Sequence, residues 1–258
     1  MAILTSKQIQ SFFEEGLLVC PKFFSEDEVA KVIACAERLH DEAAELVLEK
    51  KGKVMHRGTQ FVIDEIKGQL TIHRIVWAAS AEPALLELGR QQKMLEAVSQ
   101  LLDSQEADHL INQLHYKLPA DNVGFFWHQD VKNRRDFDPD WHDVNNKGSF
   151  VQVIISLDGM TVENGGIFYI PKSHKKGDLQ LNHLQSEEEL QKVVPLDTKL
   201  PIYTSPGDVL FMSPYLVHGS YPNKSTAPRR IFINGFSYPG ANNKQYPGEG
   251  STERISLV

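Results

Sequence analysis

His128 and Asp130 stand one residue apart at the end of the run FFWHQD, residues 125–130. The run reads as a strand, and on a strand side chains i and i+2 share a face. The imidazole and the carboxylate therefore point the same way, and Gln129 points the other. An imidazole beside a carboxylate is two-thirds of a metal site. Among ten histidines, His218 offers the remaining ligand, because it ends a strand-like run in SPGDVLFMSPYLVHGSYPN; Arg229 follows eleven positions later and opens RRIFINGF. Two imidazoles and one carboxylate bind one face of an Fe(II) ion and leave its other positions open. An arginine on the following strand suits a dicarboxylate cosubstrate, since its planar fork binds carboxylates bidentately and keeps its charge when buried. The competing reading of His128 is a plain hydrogen bond to Asp130 in a polar pocket.

The elements that must hold these residues divide the chain into two textures. The first is helical. Thr5 begins a capping-box pattern, TSKQ, with Gly16 as the stop, and LLVCP is a short strand. Ser25 opens a second box, SEDE, and a helix is predicted to about Glu49, followed by a polar break around Gly52. GTQFVIDEIKGQLTIHRIVWAA reads as two strands around a Lys67-Gly68 turn, and a helix is predicted from Glu82 to about Leu102. After Asp103 the runs HLINQLHYKLP, GFFWHQD, SFVQVIISLD, GIFYIPKSH, DVLFMSP, YLVHGSY and RRIFINGF are short and strand-like, with Gly, Pro, Asn and Asp between them. Such punctuation predicts an all-β sandwich or barrel. One domain over 1–258 is expected, with a helix-rich part to about 105 and a jelly-roll metal-binding core over about 106–240. The stretch from Val131 to Gly148 reads as a long mixed-charge loop, either a solvated connection or a lid over the site.

Composition narrows the function. The 258 residues are 41% hydrophobic and 24% charged, as in an ordinary globular protein. A net charge of −7 lacks the basic stripe that a nucleic-acid partner requires. No run approaches the roughly 18 apolar residues of a membrane span. The two cysteines, Cys20 and Cys35, form no CxxC, and the first residues lack the basic and apolar regions of a signal peptide. A reducing, cytoplasmic setting is the default expectation, with the protein a monomer or small homo-oligomer.

The motifs GLLVCPKFFSEDEV, QLHYKLP, WHQD, VENGGIFYIPKSH, PGDVLFM, HGSYPN and RRIFINGF, which run through most of the chain, resemble the phytanoyl-CoA dioxygenase family of Fe(II)- and 2-oxoglutarate-dependent oxygenases, which includes ectoine and amino acid hydroxylases. The resemblance implies a mainly β fold, a double-stranded β-helix (jelly roll, cupin-like) with buttressing α-helices. It implies iron on His128, Asp130 and His218, and the distal carboxylate of 2-oxoglutarate on Arg229 with help from Ser220. Lys117 and Gln113, on the strand before the metal strand, match positions that line the cosubstrate pocket. The chemistry implied is hydroxylation of an unactivated C–H with O2, releasing succinate and carbon dioxide. Asp130 favours hydroxylation over halogenation, because halogenating relatives have a small residue there. IPKSH departs from the pattern, since the family usually has Gly where Lys172 stands.

The substrate expected is a small polar metabolite, amino acid-like or another carboxylate or zwitterion. Arg134, Arg135 and Trp141 are candidates to contact it, and Lys132 adds charge beside them; His73 or Arg74 could join from the TIHRIVW strand. Two other classes use parts of the same pattern. A zinc hydrolase also takes two histidines and a carboxylate, but it leaves Arg229 and Ser220 without a role and shows no HExxH-type base. A non-catalytic jelly-roll module that senses 2-oxoglutarate or binds a metal would keep the ligands without turnover.

Overall fold

In the computed structural model, residues 2–49, 52–66, 69–119, 124–181 and 186–258 are described. The chain begins with α1 (Ser6–Glu15), capped by the Thr5–Gln8 box and closed by Gly16 at φ 81°, a left-handed position that glycine occupies without strain. Strand β1 (Leu17–Cys20) follows, then α2 (Glu26–Glu49), whose start carries the Ser25–Glu28 box: the Glu28 N–H donates to Ser25 Oγ and Ser25 N–H to Glu28 Oε2. Strands β2 (Gly52–His56), β3 (Thr59–Ile66) and β4 (Gln69–Val76) form a meander. Gly52 is thus the first residue of a strand rather than a break, and the predicted Lys67-Gly68 turn lies outside the described residues.

The helix predicted over 82–102 is two helices, α3 (Pro83–Gly89) and α4 (Gln92–Leu102). Gly89 explains the interruption. A side chain there would lie 2.4 Å from Asn234 Oδ1, so the backbone must pass close to a buried asparagine.

The second half supplies β5 (Glu106–Lys117), β6 (Phe125–His128), α5 (Asp130–Phe137), β7 (Phe150–Ser156), β8 (Ile167–Tyr169), β9 (Leu200–Pro201), β10 (Val209–Met212), β11 (His218–Ser220), β12 (Arg229–Ser237) and β13 (Glu253–Ser256). They fold as two antiparallel sheets. The larger has the order β1-β10-β7-β12-β5-β4-β3-β2 with β13 beside β5, and the smaller has the order β6-β11-β8-β9. This is the cupin-type double-stranded β-helix architecture expected. The helix-rich first part is not separate from the sheet, since β1 and β2–β4 complete its two ends.

Two apolar layers hold the sheets in place. The outer face of the larger sheet buries Val32, Leu39, Leu85, Met94, Val98 and Phe232 against α2–α4. The inner face meets the smaller sheet through Leu110, Phe150, Ile154, Ile167 and Ile231. The polar ligands sit where the inner layer opens, between β6 and β11 on one side and β5 and β12 on the other.

Candidate metal centre

His128 closes β6 and His218 opens β11, and the two are directly opposed in the antiparallel register. Their rings lie 4.2 Å apart between centroids. Each ring is oriented by its own strand: His128 Nδ1–H donates to Phe126 O at 2.7 Å, and His218 Nδ1–H donates to Leu216 O at 2.9 Å. That leaves the Nε2 lone pair of each imidazole for a metal. Burial, and then the neighbouring His218, push the His128 imidazole down to about 4, so it is neutral and able to ligate at neutral pH.

Asp130 is the first residue of α5, not a strand residue. Gln129 is nevertheless extended (φ −123°, ψ 137°), so the alternation holds through it and Asp130 turns to the same side as His128. Gln129 faces the other way and stitches the strand end to two loops. Its Nε2 donates to Gly177 O and Tyr215 O, and its Oε1 accepts from Leu179 N. One atom from each of His128, Asp130 and His218 lies within 4.8 Å of the others, a set that could hold a metal ion. Asp130 is fixed by Gln152 of β7, whose Nε2 donates to Oδ2 at 2.7 Å, with Asn133 Nδ2 3.4 Å from Oδ1. Sequence reading missed Gln152; its signal is a lone amide inside the largely apolar, wholly buried run FVQVIIS.

A cationic cradle lies beside the ligands. Arg229 opens β12 opposite Lys117, the last residue of β5, and both are almost fully buried. Arg229 Nη2 donates to Gly165 O at 2.8 Å. Lys117 Nζ donates to Ser220 Oγ at 2.9 Å and to Tyr221 O. Ser220 Oγ also accepts from Phe125 N, so its own proton remains to donate. Gly165 is needed here: at φ 86° a side chain would also meet Lys117 Cδ at 2.7 Å. Two buried cations and a hydroxyl suit a carboxylate, as a keto-diacid carries at its far end.

The three ligands, Arg229 and Ser220 open into one cavity of about 720 Å³, lined also by Arg74, Gln113, His115, Arg134 and Tyr246. Gln113, Ser220 and Arg229 line this cavity, while Lys117 lies behind it on Ser220. Arg134 reaches the cavity, but Arg135 and Trp141 do not line it. Arg135 lies one residue further round α5 and pairs with Asp178; Trp141 is packed in the inner core. The expected long loop is corrected too. Its first part is α5, and the rest is tied down by Asp138, which accepts from Asn243 N and Lys244 N, and by Ser149, which bonds Asp143 and Asn145. Arg74 lines the cavity from β4, while the side chain of His73 lies outside the described residues. Lys172 adopts the left-handed conformation itself (φ 62°), which accounts for glycine being usual at that turn.

The phytanoyl-CoA dioxygenase family profile matches residues 12–231. The chain is 26% identical over 227 residues to a methylphosphonate hydroxylase of Gimesia maris, covering 88% of this chain and 78% of that one. It is 23% identical over 244 residues to an ectoine dioxygenase of Bordetella bronchiseptica, covering 88% and 73%. Among solved structures, EctD from S. alaskensis with 2-oxoglutarate and 5-hydroxyectoine superposes with a TM-score of 0.73 at 22% identity, covering 100% of this chain and 90% of that one.

Proposed function

This chain belongs to the phytanoyl-CoA dioxygenase family and is an Fe(II)- and 2-oxoglutarate-dependent dioxygenase, and we propose that His128, Asp130 and His218 hold its iron for hydroxylation of a small polar metabolite. The observation that carries the assignment is the convergence of the three side chains, with both imidazoles turned Nε2-inward by backbone carbonyls. When bound, iron with 2-oxoglutarate and dioxygen supplies the oxidising power, the cosubstrate leaving as succinate and carbon dioxide. Everything else falls to the protein. Arg229 pairs the distal carboxylate of 2-oxoglutarate, Ser220 donates its hydroxyl proton to the same group, and Lys117 fixes the Ser220 oxygen while adding positive charge. Gln113 lines the same side of the cavity. Phe126 and Trp127 lie beside the ligands, and Ile154, Ile231 and Ile233 keep the floor dry. Orientation of the target C–H in that setting is where the protein contributes to rate.

The substrate is a small molecule bearing charge, in line with relatives that act on methylphosphonate and on ectoine. The assignment is tested by adding Fe(II) and 2-oxoglutarate to the protein without oxygen. A weak visible metal-to-ligand charge-transfer band is expected, lost in His218→Ala. Tight zinc without such a band would favour a hydrolase, and a band without any succinate release across a metabolite pool would favour a binding module.

A further inference from the structure

Arg134 is buried to 5% exposure, and its Nε and Nη1 have no hydrogen-bond partner among the described residues. Its guanidinium carbon lies 4.8 Å from the ring centroids of both Phe150 and Tyr246. Stacking of this kind offsets part of the cost of burying a cation. It cannot satisfy the N–H donors, which lie in the guanidinium plane while rings cover its faces. An unpaired buried donor is costly, and an unpaired buried charge more so. Arg134 is thus a buried guanidinium with two unpaired donors in the wall of the cavity.

Two further orphans line the same cavity. Tyr246 Oη and His115 Nε2 are buried without hydrogen-bond partners among the described residues. Arg74, half-buried on β4 next to His115, makes no hydrogen bond or ion pair within the described residues, and its charge is destabilised by burial and by Arg134. Among the described residues no acidic group of the cavity hydrogen-bonds these cations, although the Asp130 charge favours Arg134. Asp136 is taken by Lys132, and Asp130 is held by Gln152 beside the two histidines. Arg134 and Asp130 are one helical turn apart on α5, so they share a face. An anion on Arg134 would sit next to the metal ligands, not at a remote surface.

Resting on the iron assignment, we propose that the substrate carries a phosphonate-type dianionic oxyanion, held by Arg134 and Arg74 with Tyr246 donating a further hydrogen bond. Two cations that no cavity carboxylate hydrogen-bonds among the described residues match two negative charges, and Arg134, Arg74 and Tyr246 on one cavity wall suit a head with several oxygens. The α5 spacing places Arg134 and Asp130 about 5–6 Å apart at Cβ, so the target C–H is within a few bonds of the oxyanion.

The test uses protein loaded with Fe(II) and saturating 2-oxoglutarate without oxygen, titrated with methylphosphonate, methanesulfonate or tetramethylammonium. Methylphosphonate should perturb the charge-transfer band saturably, and the affinity should fall at least about tenfold in Arg134→Lys and in Arg74→Gln. Arg74→Gln is half-buried and guards against misfolding of the other. Methanesulfonate has the same shape with one charge and should bind clearly more weakly. Equal binding of methanesulfonate, tighter binding of tetramethylammonium, no response to methylphosphonate, or unchanged affinity in both variants would overturn the proposal. If the band never forms, the iron assignment is what fails. Calorimetry of methylphosphonate on the metal-free protein then decides the anion site: heat lost in the two variants supports it, and absence of heat refutes it.

Discussion

Replacing Gln152 with methionine keeps the length of the side chain and removes its donor. In the structure that donor lies 2.7 Å from Asp130 Oδ2, in a fully buried pair. A hydrogen bond to a charged group contributes about 1.5–3 kcal/mol, which corresponds to a factor of roughly 10 to 150 in an equilibrium constant. Loss of an outer partner of a metal ligand typically weakens metal binding by about ten- to a hundredfold, the same range. Among the described residues Asp130 has no comparable second anchor, since Asn133 is 3.4 Å away. Gln152→Met is therefore expected to weaken Fe(II) binding by about ten- to a hundredfold. At saturating iron the 2-oxoglutarate dependence should stay near that of the parent, because Arg229, Lys117 and Ser220 are untouched. The assay is an oxygen-free Fe(II) titration in the presence of 2-oxoglutarate, read from the charge-transfer band. An Fe(II) affinity within about twofold of the parent would refute the reasoning, since Asp130 would then be held by something other than Gln152.

Arg229→Lys should raise the half-saturating 2-oxoglutarate concentration at least about tenfold while iron binding persists, because an ammonium cannot replace a fork; an unchanged requirement removes Arg229 from that role. Arg230, its strand neighbour, faces the helices and clasps Asp158 through two bonds, so Arg230→Ala should lower thermal stability and leave the 2-oxoglutarate dependence alone. His109 is fully buried, accepts from Arg90 Nε, bonds Asn234, and is pushed down to about 3 by burial. Below the unfolded value of about 6.5 the unfolded chain takes up a proton that the native one refuses, so stability falls as pH drops from about 6.5 toward 3, by up to about 1.4 kcal/mol per pH unit. Urea melts at pH 6.5 and 5 should show a smaller acid loss in His109→Gln than in the parent; equal losses would mean that His109 titrates normally.

How much was legible in the sequence depends on whether a signal is local. Capping boxes at Thr5 and Ser25 and strand runs such as SFVQVIISLD are local, and the structure has the elements there. The candidate metal ligands were legible because His128 and Asp130 stand one residue apart and His218 borders a strand-like run. Helix α5 was not, because DVKNRRDF buries only Asp130, Val131 and Arg134, a stripe that is mostly polar and leaves no apolar periodicity to detect. Arg135 and Trp141 were chosen by nearness in sequence, which says nothing of direction. One residue along a helix is about 100°, enough to send Arg135 to Asp178 instead of the cavity. Gln152 and Tyr246 reach the site through packing of distant segments, and no spacing rule encodes that.

The segment from His128 to Arg134 would serve both the proposed metal centre and the proposed anion site. Gln129 stays extended and is anchored on both sides of its amide, so His128 and Asp130 share a face. The chain then coils, and Val131 N–H donates to Pro214 O, tying the first turn of α5 to the loop that leads into His218. Asp130 sits in that first turn, where the helix dipole favours a carboxylate. Had the strand continued, residue 134 would lie some 13 Å from residue 130 along the chain, at about 3.3 Å per residue. The helix shortens that rise to about 6 Å, and this change of backbone state brings a buried guanidinium beside the metal ligands. A substitution that breaks α5 without touching either residue, such as Asn133→Pro, should therefore disturb metal and anion binding together, whereas Arg134→Lys should disturb only the second.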